Sequence, residues 1–106
     1  MNLAEDPNVK AIIDEKRYTV AAFYQFVSLN NIKHLQAELK KLCQKYEIFG
    51  TILLAREGIN GTVSGNQSSV NSLFKWFDHQ PSFHDIQVKY SNSNSLAFNR
   101  LKVRIK

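Results

Sequence analysis

The chain has 106 residues, 43% of them hydrophobic, and a formal net charge of +5. That length makes one domain, which buries roughly two-thirds of its unfolded surface without disulfide or metal staples. The lone cysteine, Cys43, excludes an internal disulfide and points to a reducing compartment. No stretch approaches the ~20 apolar residues of a membrane span. Glu5, Asp6 and Pro7 stand where a secretory leader needs an apolar core. The expectation is a cytoplasmic protein with no membrane partner.

The charge is unevenly spread. Residues 1–15 hold Glu5, Asp6, Asp14 and Glu15 against Lys10, a net of −3, which leaves +8 on residues 16–106. From Ile86 onward there are five bases (Lys89, Arg100, Lys102, Arg104, Lys106) and no acid. Such asymmetry suits a polyanion, nucleic acid first. A solvated basic face is the other reading.

Asp6–Pro7 reads as a helix start, with Asp6 as N-cap and proline at the first helical position. The expectation for 1–17 is an N-terminal helical extension: a short helix lying on the domain, or a partly ordered extension. Tyr18 to Val27 is β-branched and aromatic, and reads as a strand buried on both faces and central in its sheet. Asn30 or Asn31 then caps a helix whose stripe is Ile32, Leu35, Leu39, Leu42 and Tyr46. Ile48 to Ala55 and Gly61 to Gly65 read as strands of an antiparallel hairpin, because their link is too short for a helix. Asn66 or Ser68 caps a second helix with Val70, Leu73, Phe74 and Phe77 inward, and His79–Ser82 ends it. Ile86 to Tyr90 alternates as a fourth strand, and Ser91 to Ser95 reads as a polar loop. Arg100 to Lys106 alternates again, with Leu101, Val103 and Ile105 on one face. The order predicts an α+β fold: a ferredoxin-like βαββαβ sandwich over 18–106 with an additional C-terminal strand. The chain stops on that strand, which suggests a boundary within a longer protein.

Candidate chemistry is sparse. Cys43 lies near a helix C-terminus, where the dipole disfavours a thiolate, so it reads as a core residue. His34, His79 and His84 with one cysteine match no zinc spacing. His79 and His84 flank Pro81 and leave only a weak site conceivable. Asp78 and Asp85 lie at opposite ends of the same loop and read as a solvated surface rather than a catalytic pair. Glu57, Gly58, Ile59, Asn60 and Gly61 match neither a Walker loop nor a dinucleotide fingerprint. Asn60–Gly61 is a preferred turn dipeptide, so this segment either solves a backbone problem or aims amides at an anion. Arg100, Lys102, Arg104 and Lys106 fall on one side of a strand at steps of about 6.6 Å, a spacing that suits successive phosphates. An edge strand charged against aggregation gives the same pattern. Tyr18, Tyr24 and Phe26 share one face of the first strand. The third strand has no aromatic residue, which argues against an RNA-recognition motif. Trp76 reads as core or interface packing. For an acylphosphatase, the nearest candidate arginine–asparagine pair is Arg56 with Asn60, in the wrong hairpin.

Three stretches carry a resemblance: Ala21–Val27, Gly50–Thr62 and Phe98–Arg104. From about Tyr18 to its end the chain resembles the N-terminal domain of the rhodanese-related tRNA uridine(34) hydroxylases, the TrhO/YceA type. The resemblance implies a parent oxidoreductase that hydroxylates the tRNA wobble uridine at C5 with molecular oxygen. It also implies a rhodanese-like domain downstream, carrying an active-site cysteine that Cys43 does not match. The expected partners are tRNA and that domain, with no cofactor. This domain is then a non-catalytic, tRNA-binding and positioning module. Arg100, Lys102, Arg104 and Arg56 are the candidate RNA contacts, and Glu57, Gly58, Asn60 and Gly61 the candidate turn or interdomain contacts. The alternative is a protein-interaction domain that packs on the rhodanese domain without touching RNA.

Overall fold

The computed structural model describes residues 17–106. The expected helix at Asp6–Pro7 lies outside the described residues. Five strands and two helices follow in the order β1 (Tyr18–Phe26), α1 (Ile32–Lys45), β2 (Phe49–Ala55), β3 (Gly58–Asn66), α2 (Gln67–Asp78), β4 (Gln87–Ser93) and β5 (Leu101–Ile105). They form one sheet in the order β4-β1-β3-β2-β5. All neighbours are antiparallel except β2 and β5, which run parallel. This is the expected βαββαβ arrangement with one added strand.

Both helices lie on the same side of the sheet, where their stripes bury the core. From α1 come Leu39 and Cys43; from α2 come Val70, Leu73 and Phe77. They meet Ala21 and Phe23 of β1, Ile52 and Leu54 of β2, Ile59 and Val63 of β3, and Val103 of β5. The aromatic part is a chain of ring contacts: Phe23 to Phe74 edge-on at 5.5 Å, Phe23 to Phe77 tilted at 5.6 Å, and Phe77 to Phe83 edge-on at 5.2 Å. Trp76 extends it, 5.3 Å from Phe77. Gln36 of α1 donates to the Val103 carbonyl at 2.8 Å, which ties the helix to the added strand.

The helix ends are solved differently. Asn66 accepts from the Ser69 amide at 2.8 Å and caps α2; Asn31 occupies the N-cap of α1 without a side-chain bond. α1 closes on a Schellman pattern. Ile48 N–H donates to the Cys43 carbonyl at 2.8 Å and Glu47 N–H to Gln44 at 3.4 Å. Glu47 takes the left-handed position, φ 54, usually given to glycine.

Three expectations need correction. β1 is internal to the sheet, but only its helix-side residues Thr19, Ala21, Phe23 and Gln25 are buried; Ala22, Tyr24 and Phe26 are exposed. Its run of apolar residues does not signal two-sided burial, because both described helices share one face. β3 begins at Gly58, so the hairpin turn is Arg56–Glu57 and Asn60–Gly61 lies inside the strand. Ser91–Ser93, expected as loop, continue β4 because they pair with Val20, Thr19 and Tyr18 of β1.

Candidate nucleic-acid interface

Strand alternation divides the sheet into a helix side and an opposite side. Register places five residues in a row across that opposite side: Gln87, Tyr24, Asn60, Leu53 and Arg104. The adjacent row is Lys89, Ala22, Thr62, Thr51 and Lys102. One row beyond Tyr24, Phe26 stands beside Gly58, with Ala55 next across. The two basic rims, Lys89 on β4 and Lys102 on β5, are four strand spacings apart, about 19 Å. No carboxylate occupies these rows among the described residues.

The small side chains of Ala22, Thr51 and Thr62 leave a trough of about 710 Å³ between Tyr24 and Phe98. Phe98 comes from the connection that joins β4 at one sheet edge to β5 at the other. A second depression of about 380 Å³ shares Tyr24, Leu53 and Asn60 and continues to Phe26, Ala55, Glu57 and Lys106. Tyr24 is 53% exposed and Phe26 86% exposed, with ring centroids 6.3 Å apart at a steep angle. Large aromatics at such exposure on an internal strand are unusual, since their burial contributes about 1.5–3 kcal/mol each. Farther along the same side, Ser64 is fully buried.

Of the sequence candidates, Lys102, Arg104 and Asn60 fall together on this surface. Arg100 stands just before β5, at the opposite end from the hairpin turn, and its carbonyl accepts from Gly50 N–H at 2.7 Å. Arg56 is elsewhere. It lines a depression of about 720 Å³ at the start of α1 with Lys33, His34 and Lys106. Arg56 and Asn60 therefore line different hollows and form no acylphosphatase-like pair. The carbonyls of the turn are already engaged within the fold. Glu57 and Arg56 accept from the amides of Val27 and Leu29 at 3.0 and 2.9 Å, which fixes the path from β1 to α1. Gly58 has φ +154, and a Cβ there would stand 2.2 Å from the Gln25 carbonyl oxygen. Gly61 lies under the Phe23 ring, 2.9 Å from where its Cβ would be. These two glycines are explained by close packing.

Sequence reading missed Lys89 as the opposite rim, and with it Gln87, Leu53 and Phe98. Only register brings these to the face. Cys43 is fully buried, and desolvation pushes its thiol from 9.0 to about 12. It is no nucleophile at neutral pH. Among the described residues no cluster of three or more His, Cys, Asp or Glu is placed to hold a metal, and no helix is long and apolar enough to cross a membrane.

Comparison with known proteins agrees with this architecture. The tRNA uridine(34) hydroxylase of Bartonella bacilliformis is 44% identical over 92 residues, covering 87% of this chain and 30% of that protein. That of Ehrlichia canis is 40% identical over 89 residues, covering 84% and 32%. The chain thus spans about a third of the length of these curated relatives. Among solved structures, the BLUF protein BlrB aligns at TM-score 0.65 and 16% identity, covering 86% of this chain and 72% of that one. An acylphosphatase from Coxiella burnetii aligns at 0.59 and 9%, covering 86% and 96%. At these identities both show shared fold alone. A family profile described as "UPF0176 acylphosphatase like domain" matches residues 18–106. The chain belongs to the UPF0176 family, as the acylphosphatase-like N-terminal domain found in tRNA uridine(34) hydroxylases.

Proposed function

We propose that this chain is the tRNA-binding and positioning domain of a cytoplasmic, oxygen-dependent tRNA uridine(34) 5-hydroxylase. Hydroxylation would occur in a rhodanese-like domain of the same protein. The observation that carries this reading is the placing of Lys102 and Arg104 on the sheet face that neither described helix covers, opposite Lys89 and with no carboxylate between them among the described residues. Two cationic rims on one face hold a polyanion by counterion release, without sequence choice. Arg100 extends the β5 rim at one end and Lys106 at the other. The names of the relatives, about three times longer, supply the substrate class. The buried, fully protonated Cys43 supports a non-catalytic role for this part.

The test is titration of the chain with tRNA at two salt concentrations. Binding should weaken steeply with salt, and Lys102→Glu with Arg104→Glu should abolish most of it. Absence of binding at low salt, or binding indifferent to both reversals, rejects the reading. The protein-docking alternative draws on Phe26, which is apolar and 86% exposed. Chemical-shift mapping with the rhodanese-like domain supplied in trans separates the two. If that domain, and not tRNA, perturbs Lys102 and Arg104, the alternative stands.

A further inference from the structure

The face between the rims is not simply basic. Its centre holds Tyr24 and Phe26, both exposed, on an internal strand. Asn60 is exposed beside Tyr24 and carries an amide with two donors and one acceptor oxygen, and Gln87 flanks Tyr24 on the other side. We propose that this face takes unpaired nucleotides: bases stack on Tyr24 and Phe26, Asn60 and Gln87 meet base edges, and Lys89, Lys102, Arg104 and Lys106 hold the phosphates. The proposal rests on the RNA-binding reading above and adds the form of RNA that is bound.

Three observations favour a single strand over a duplex. Aromatic rings at this exposure offer π-faces that only an unstacked base can use; within a helix the bases already stack on each other. Tyr24 borders both a trough shaped by the small residues Ala22, Thr51 and Thr62 and a second hollow, which Phe26 lines with Ala55 and Gly58. A phosphate rail at about 6.6 Å steps along β5 runs beside them, matching the repeat of an extended strand. Charge complementarity commits the face to a polyanion: among the described residues its two rows carry Lys89, Lys102 and Arg104 and no acid. Glu57 stands only at the far rim of the second hollow. The absence of an exposed aromatic on β3 separates this surface from the RNA-recognition motif, whose bases stack on that strand as well.

The experiment titrates the chain with a fluorescently labelled, unpaired oligoribonucleotide and with a blunt RNA duplex of the same length. The unpaired strand should bind at least about tenfold more tightly. Tyr24→Ala and Phe26→Ala should each weaken it by about 5- to 150-fold while leaving duplex binding unchanged. Tyr24→Phe, which keeps the stacking surface, should restore it. Lys102→Glu should weaken both forms. Equal affinity for the two RNAs, or indifference to Tyr24→Ala in a variant whose circular dichroism is native, overturns the stacking proposal and leaves the RNA-binding reading intact. No binding of either RNA overturns both. If a protein ligand, with no RNA present, quenches exposure of Tyr24 and Phe26 and competes with the oligonucleotide site, the face is a protein interface and the proposal fails.

Discussion

Gly58 and Cys43 each meet a tight local demand. At Gly58, φ +154 and a Cβ only 2.2 Å from a backbone oxygen leave no room for a side chain. Gly58→Ala should cost about 1–3 kcal/mol from backbone conformation alone, and more from the clash. Chemical denaturation measures the loss. The glycine is visible in sequence, but its reason is not: the short-range turn signal at Asn60–Gly61 competes with it. Only the pairing of Ala55 with Gly58 across the hairpin moves the turn to Arg56–Glu57. Gly61 is explained by the Thr51 carbonyl oxygen, 2.6 Å from where a Cβ would be, and by Phe23, contacts that only strand pairing creates. Cys43 yields a pH prediction. Its folded pKa, about 12, lies above the ordinary 9.0. The neutral thiol is therefore favoured in the folded state, and its stabilising contribution is complete below pH 9. It is lost as pH rises from about 9 through 12, because the unfolded chain releases the proton first. Equilibrium unfolding against pH should decline across that window, and Cys43→Ser should flatten the decline. At neutral pH a thiol reagent should react with Cys43 only when the chain opens.

The helices were legible because their signals are local. A 3.6-residue stripe and polar caps lie within one segment of sequence, and Leu39, Val70, Leu73 and Phe77 are buried where periodicity puts them. Which cap residue makes a bond depends on the folded geometry. Asn66 bonds the Ser69 amide, and Asn31 bonds nothing with its side chain. Asn66→Ala should cost about 1 kcal/mol, and Asn31→Ala distinctly less, in paired thermal melts. At the other end of α1, Glu47 occupies the left-handed Schellman position. Glu47→Gly should raise stability by up to about 1 kcal/mol, since glycine takes that conformation without the Cβ penalty. A lowered melting temperature would contradict it. β4 is longer than its sequence suggests because Ser91–Ser93 have little strand propensity of their own. Pairing with β1 overrides that preference, as it often does for polar residues on half-exposed strands.

For the whole molecule, the decisive feature is that both described helices cover one side of a five-stranded sheet. The other side offers aromatic and basic groups in common rows. Binding of single-stranded RNA there should show a log–log salt slope that falls by about 0.7 for each phosphate contact removed. Lys102→Gln and Arg104→Gln, measured singly and together, test it; an unchanged slope places the phosphates elsewhere. The element order, the two helix stripes, the buried cysteine and the alternation of bases along β5 were all present in the amino-acid sequence, because each depends on neighbours within one or two turns or strand repeats. The tertiary structure alone decided which side of β1 the described helices cover, that Lys89 faces Lys102 across the sheet, and that Arg56 parts company with Asn60. Those facts arise from strand register between segments far apart along the chain. A shift of one residue in that register would send every one of these side chains to the opposite face.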